Sequence, residues 1–138
     1  MEFALTTAAS IAELLELTAR KLHSRGHACG MFPAQWAALR YFSRAPEALR
    51  TASELARFQG LANGPVSRTV RTLVQKGLLA KAAEQPKGRA ELLALTETGR
   101  TLLEGDPTLE LKAALTDLPE TDRRSLARTL ELLAARLG

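Results

Sequence analysis

Glycine and proline divide the middle of the chain into short helical segments, and this division restricts the fold more than any other feature. Thr51 and Glu54 have the spacing of a capping box, which predicts a short helix that ends near Gln59. Segment 60–64 has the composition of a tight turn, and Pro65 after it suits the first turn of a second helix, with Asn63 as its cap. Two short helices joined by a tight turn make a helix-turn-helix.

The second helix of this pair is predicted to run to about Lys76, with Gly77 as its C-terminal glycine. Its apolar residues recur at helical spacing and form one face, which consists of Val66, Val70, Leu73 and Val74. The other faces carry polar residues, namely Ser67, Arg68, Arg71, Thr72 and Gln75. Two cations are therefore expected on the outer surface of this helix.

Two apolar runs follow, at residues 78–81 and 91–95, and predict the strands of a β-hairpin. The connection between them contains turn-forming and basic residues, namely Pro86, Lys87, Gly88 and Arg89. A hairpin in this position after a helix-turn-helix is a wing, and this one has a basic tip.

Longer helices flank this central module. Amphipathic patterns predict helices over residues 5–25 and 33–44. A further helix starts at Thr96 and breaks near 105–107, after which the chain is expected to be helical to Leu137.

The first and last helices carry more apolar surface than a lone helix pair can hide, and this predicts a homodimer. The residues concerned are Leu5, Ile11, Leu15, Leu126, Leu130, Leu133 and Leu137. The alternative is that these side chains only build the core of a single chain.

Composition and charge limit the class of protein. The chain has 138 residues, of which 46% are hydrophobic and 25% charged, as expected for one compact domain. Residues 50–100 contain nine of the 19 Lys and Arg residues but four of the 15 Asp and Glu residues, which indicates a local polyanion-binding surface unless the charges are scattered by chance. The sequence has neither the pattern of a secretory signal nor that of a membrane span, so we expect a cytoplasmic protein. Cys29 is the sole cysteine, which excludes an intramolecular disulfide and fits a reducing compartment.

The order of helices, turn and hairpin resembles the MarR (multiple antibiotic resistance regulator) family over essentially the whole chain. The most specific matching stretches are residues 32–39, 53–56, 66–73, 76–79 and 95–100. The resemblance implies a single domain, 1–138, that is mainly α with a small β-hairpin (α+β). A winged helix-turn-helix at about 33–100 would be flanked by dimerisation helices at 1–30 and 101–138.

The resemblance also implies a transcriptional regulator, a repressor that binds double-stranded DNA and needs no cofactor. As a homodimer on a palindromic operator, it would hold its recognition helices roughly 34 Å apart. Predicted DNA-binding residues are Ser53, Asn63, Ser67, Arg68, Thr69, Arg71, Thr72, Lys87 and Arg89. Among these, Arg68 is expected to read a base and Arg71 a phosphate, while Lys87 and Arg89 contact phosphate or the minor groove. Two departures from relatives are Pro65, which cannot donate a backbone hydrogen bond, and a wing without Asp.

A small aromatic or anionic effector that releases the DNA is a further implication of the resemblance. Its predicted binding residues are His23, His27, Met31, Trp36 and Arg40, although core packing is the simpler expectation for Trp36. Cys29 is either a redox sensor or, more commonly for a lone cysteine, a buried side chain. His23, His27 and Cys29 supply three metal ligands without a fourth, and we predict no metal site.

Two other classes of function compete with this one. A winged helix used for protein contact predicts no basic excess on the recognition helix and wing, contrary to the charge pattern of residues 50–100. The other class is an enzyme with Cys29 as nucleophile and His27 as base. The same segment supplies no carboxylate to orient the histidine, and we expect no enzymatic activity.

Overall fold

The computed structural model describes residues 6–88 and 90–138, so the predictions made for Leu5 and Arg89 lie outside the described residues. The described part forms seven α-helices and one two-stranded antiparallel sheet, which confirms the predicted fold class. In chain order the elements are α1 (Ala8–Arg25), α2 (Pro33–Arg44), α3 (Ala52–Gln59), α4 (Asn63–Gln75), β1 (Leu79–Lys81), β2 (Leu93–Leu95), α5 (Glu97–Leu103), α6 (Leu109–Thr116) and α7 (Glu120–Leu137). Of these helices, none is long and apolar enough to cross a membrane.

The hydrophobic core lies between α2, α3, α4 and the sheet. Its largest fully buried side chains are Trp36, Leu39, Phe42, Leu55, Leu73 and Leu79. Burial of each such side chain contributes roughly 1.5–3 kcal/mol, so this cluster fixes how the two helices of the helix-turn-helix pack together.

By contrast, the three helices α1, α6 and α7 contain no buried residue. The chain after residue 107 was predicted to continue as helix to Leu137, but it divides between α6 and α7, and Pro119 immediately precedes α7. Proline disfavours α-helical conformation in the residue before it, which explains the interruption.

The connection from α2 to α3 is held by local hydrogen bonds. A 3-10 turn at Glu47–Leu49 follows α2, and the Tyr41 hydroxyl donates to the Leu49 carbonyl oxygen at 2.6 Å. Burial and the nearby charge of Glu54 both raise the pKa of Tyr41, so its hydroxyl stays protonated and remains a donor at neutral pH.

Half of the capping box predicted at the start of α3 is present. The Thr51 hydroxyl accepts from the Glu54 amide at 3.1 Å, as predicted. The return bond is absent, because the Thr51 amide donates to the Leu49 carbonyl at 2.9 Å and the Glu54 carboxylate lies 3.8 Å from Arg57.

Helix α4 differs from the prediction at its start and along one edge. It begins at Asn63, so Ala62 occupies the cap position without a side-chain hydrogen bond, and the predicted capping role of Asn63 is wrong. Pro65 is tolerated at the third helical position, where an amide would have no partner within the helix. Val74, predicted on the apolar face, is 42% exposed because that face packs through Val66, Val70 and Leu73.

The start of α5 fixes the sheet against the end of α4. The Thr96 hydroxyl caps the amide of Gly99 at 3.0 Å and donates to the Gly77 carbonyl at 2.6 Å. Gly99 is buried beside the backbone of Leu78, and a Cβ atom at Gly99 would lie 2.3 Å from the Leu78 carbonyl oxygen. The glycine is therefore required by close backbone packing.

We expect Gly99→Ala to destabilise the protein by about 1–3 kcal/mol or more, because the backbone of Leu78 must move to admit the methyl group. Urea denaturation measures the change in unfolding free energy. Gly64→Ala is the matched control, since its methyl group would meet only the Arg68 side chain, at 4.0 Å, and should leave stability unchanged or slightly raised. Equal effects of the two substitutions would contradict the packing assignment.

Candidate nucleic-acid interface

The solvent-facing side of α4 carries the two cations predicted there. Val66, Val70 and Leu73 pack into the core, and this orientation leaves Arg68 and Arg71 exposed. Ser67, Thr69 and Thr72 are half-buried along the flanks of the same helix. Together with Asn63 at its first position, α4 therefore carries six of the predicted DNA-binding residues.

Neither Arg68 nor Arg71 forms an ion pair with an acidic side chain of the described residues, whereas six other basic residues do. These paired residues are Arg20, Arg25, Arg40, Arg57, Lys81 and Arg124. The guanidinium groups of α4 thus keep their donors available for an external anion or a base edge.

Two threonines on α4 bond back to their own helix. The Thr69 hydroxyl donates to the Pro65 carbonyl at 3.2 Å, and the Thr72 hydroxyl donates to the Arg68 carbonyl at 3.0 Å. Each oxygen retains lone pairs, so both side chains remain acceptors for a donor on a base.

The first turn of α4 is open to solvent. Asn63, Gly64 and Pro65 are all exposed, and the amides of the first two have no partner in the helical ladder. Ser53, at the start of α3, is also exposed, and its hydroxyl lies 3.3 Å from that of Thr51. Thr51 itself is buried, which agrees with the preferred capping role.

The wing, residues 79–95, follows α4 directly. Its strands pair with Leu79 opposite Leu95 and Lys81 opposite Leu93, and both are shorter than the predicted runs. An ion pair of 3.3 Å joins Lys81 to Glu91 beyond the last strand pair. Lys87 is exposed at the tip.

Gln85 bonds across the wing, and the sequence patterns did not single it out. Its side-chain amide nitrogen donates to the carbonyls of Ala82 and Leu92, at 2.9 and 2.8 Å. Its amide oxygen accepts from the Leu92 amide at 2.8 Å. No motif marks this residue, because its partners are backbone groups whose position depends on the folded hairpin.

Comparison with known proteins supports this resemblance for the central module. Residues 30–90 match the model of the MarR family. The resemblance predicted from the sequence motifs is confirmed over these residues. Among curated proteins, none matches the sequence.

Solved structures extend the MarR-like fold over the flanking helices. The chain is similar to S. aureus MepR in a complex with DNA, with a TM-score of 0.73, 16% identity, and coverage of 99% of this chain and 100% of that one. A probable transcriptional regulator from Pseudomonas aeruginosa is 25% identical, with a TM-score of 0.66 and coverage of 93% and 97%. A MarR/EmrR family transcriptional regulator from Acinetobacter sp. ADP1 is 21% identical, with a TM-score of 0.69 and coverage of 92% and 94%.

Three residues predicted to bind an effector are already buried or paired within the segment that matches the MarR-family model. Trp36 is 0% exposed in the core, and Met31 is also buried, so neither presents a surface to a ligand in this conformation. The Arg40 Nε atom donates to the Asp106 carboxylate at 2.7 Å. Asp106 in turn accepts from the amide and hydroxyl of Thr108, at 2.9 and 3.0 Å, and so connects α2 to the junction before α6.

The two histidines lie at the surface, with His23 and His27 edge to face and their ring centroids 5.4 Å apart. His27 also lines a cleft of about 500 Å³, whose other lining residues include Arg25, Asp106 and Glu110. Arg25 is ion-paired with Glu110 across this cleft.

Cys29 is exposed, so the expectation of a buried cysteine is wrong. Its φ of 58° lies in the left-handed region, and it occupies the turn between α1 and α2. Over residues 6–88 and 90–138, no group of three or more His, Cys, Asp or Glu side chains is arranged to hold a metal ion.

Proposed function

We propose that this protein is a sequence-specific transcriptional regulator that binds double-stranded DNA through α4 and the wing. The observation that carries the proposal is the pair of exposed guanidinium groups, Arg68 and Arg71, on one face of α4 without acidic partners among the described residues. DNA binding is also supported by the similar fold of S. aureus MepR, which was solved in a complex with DNA.

The exposed face of α4 has the chemistry needed in a major groove. Arg68 would pair with the two acceptors of a guanine, and Arg71 would contact a phosphate. Ser67, Thr69 and Thr72 would add hydroxyl contacts along the same groove. Ser53 and Asn63 would contact the DNA backbone near the starts of α3 and α4, while Lys87 and Arg89 of the wing would contact phosphates or the adjacent minor groove.

We further propose that the protein acts as a homodimer on a palindromic operator. α1, α6 and α7 have no buried residue in the single chain, although they carry exposed apolar side chains. Of the described residues predicted at the interface, Leu133 is half-buried and the others are exposed, namely Ile11, Leu15, Leu126, Leu130 and Leu137. Pairing through residues 1–30 and 101–138 would cover them and set the spacing of the two modules at 33–100, in keeping with half-sites one helical turn apart.

Repression and its release by a small anionic or aromatic effector complete the proposal. The cleft beside His27 offers an anion one guanidinium group, that of Arg25, but Arg25 is paired with Glu110 and Asp106 also lines the cleft, so an anionic ligand would have to replace Glu110. Such a ligand would release DNA only if its affinity for the conformation that cannot bind the operator exceeds its affinity for the conformation that can. Arg40 would join this site only after leaving Asp106.

We expect affinity for duplex DNA to fall steeply as salt increases. Each phosphate neutralised by a cation contributes a slope of about −0.9 in a plot of log K against log salt concentration. Fluorescence anisotropy with a labelled random-sequence duplex measures this slope, and selection from random sequence then supplies the specific site. Salt-insensitive affinity, or no affinity, would contradict DNA binding and favour a winged helix that contacts protein.

A further inference from the structure

The neck of the wing, defined here as residues 82–85 and 92, is closed by a side chain. Past the strands, the backbone contributes one more bond, from the Ala82 amide to the Leu92 carbonyl at 3.0 Å. The Gln85 side chain then adds its three bonds, which engage the Ala82 carbonyl and both backbone groups of Leu92. These bonds join the two arms of the hairpin directly below its tip.

A carboxamide is matched to this position because it carries a donor and an acceptor in the arrangement of a peptide group. Towards Leu92, the Gln85 side chain therefore pairs as an additional strand residue would, donating to the carbonyl and accepting from the amide. Glutamate would retain the acceptor and lose both donors, and methionine of similar length would lose all three bonds.

Gln85 is exposed, so water can replace its hydrogen bonds when the side chain is changed. The net contribution of each bond to global stability is accordingly small. The effect of the Gln85 bonds on the loop is larger. They shorten the free connection that bears Lys87 and so reduce the number of conformations available to that connection.

We infer that Gln85 is a positioning residue for DNA binding, which closes the neck of the wing and thereby holds Lys87 where it contacts the DNA backbone. Lys87 follows Gln85 by two residues, after Pro86 and before Gly88, which has a φ of 69°. Proline fixes one backbone angle and the glycine permits the turn, so the closed neck sets the direction of residues 86–88. This inference rests on the proposed function.

The test compares Gln85→Met, Lys87→Met and the double variant. Gln85→Met should weaken duplex binding by about the same factor as Lys87→Met, up to roughly tenfold, because the same phosphate contact is lost. The salt slope should become shallower by a similar amount in both. The double variant should bind no more weakly than either single variant, since Gln85 acts through Lys87.

Hydrogen exchange of the Leu92 amide in the free protein measures the neck without DNA. We expect faster exchange in Gln85→Met, and unchanged exchange in Gln59→Met, which makes the same substitution on α3. Unchanged Leu92 exchange in Gln85→Met would overturn the closure. Additive losses in the double variant, or normal affinity and slope in Gln85→Met, would overturn the positioning role. Failure of the unsubstituted protein to bind duplex DNA would instead overturn the proposed function, even if the Leu92 amide is protected from hydrogen exchange.

Discussion

Replacement of Arg68 by alanine should abolish the preference for the operator at the base that Arg68 contacts, while leaving the oligomeric state unchanged. A bidentate arginine–guanine pair supplies about 1–3 kcal/mol of discrimination, which is roughly a fivefold to 150-fold preference at each half-site. The relevant measurement is the ratio of affinities for the selected site and for the same site with that base pair changed. Size-exclusion chromatography with light scattering checks the oligomeric state.

Two further alanine variants separate this effect from a simple loss of charge. Arg71→Ala should weaken binding to both duplexes equally and make the salt slope shallower, because a phosphate contact carries no sequence information. Arg128→Ala removes the same charge from the side of α7 opposite the Leu126 and Leu130 positions and should change neither quantity. Retained selectivity in Arg68→Ala would remove Arg68 from its assigned role.

A glutamate at Leu130 should separate the proposed dimer into monomers. Leu130 is 42% exposed in the single chain and shares a helical stripe with Leu126, Leu133 and Leu137. An unpaired buried charge costs about 3–5 kcal/mol, so the dimer dissociation constant should rise by at least roughly two orders of magnitude. Operator affinity should fall with it, because each half of a palindrome would then be bound independently. Analytical ultracentrifugation and operator titration measure the two effects.

Leu132→Glu is the control for this substitution. Leu132 is more exposed than Leu130, at 68%, but lies away from the stripe on the helical wheel. It should leave association and operator affinity nearly unchanged. If Leu130→Glu remained dimeric, or if both variants dissociated equally, the interface would not run along this stripe.

Local sequence patterns were sufficient for most of the winged module. Gly60 and Gly77 both have positive φ at the ends of α3 and α4, where composition placed a turn and a helix terminus. Val66, Val70 and Leu73 recur at helical spacing and are buried as expected. These features depend on residues close together in the chain, which is why a single sequence reveals them.

The sequence patterns were less informative where the outcome depends on distant parts of the chain or on the folded backbone. Arg40 was expected to be available to a carboxylate effector, but its partner Asp106 is 66 positions away, and no local pattern joins them. Gln85 has no helical or strand periodicity to mark it, and its role emerges only when the hairpin brings Leu92 beside it. Cys29 is exposed in a left-handed turn, a position that hydrophobicity alone does not predict.

Because α1, α6 and α7 contain no buried residue, the stability of these outer helices and that of the central module should depend differently on protein concentration. The central module has its own core, so we expect its folding equilibrium to depend little on protein concentration. In the proposed assembly the three outer helices acquire their core from a second chain, and their order therefore depends on protein concentration. At low copy number, expression level and operator occupancy would then be linked through the population of ordered outer helices.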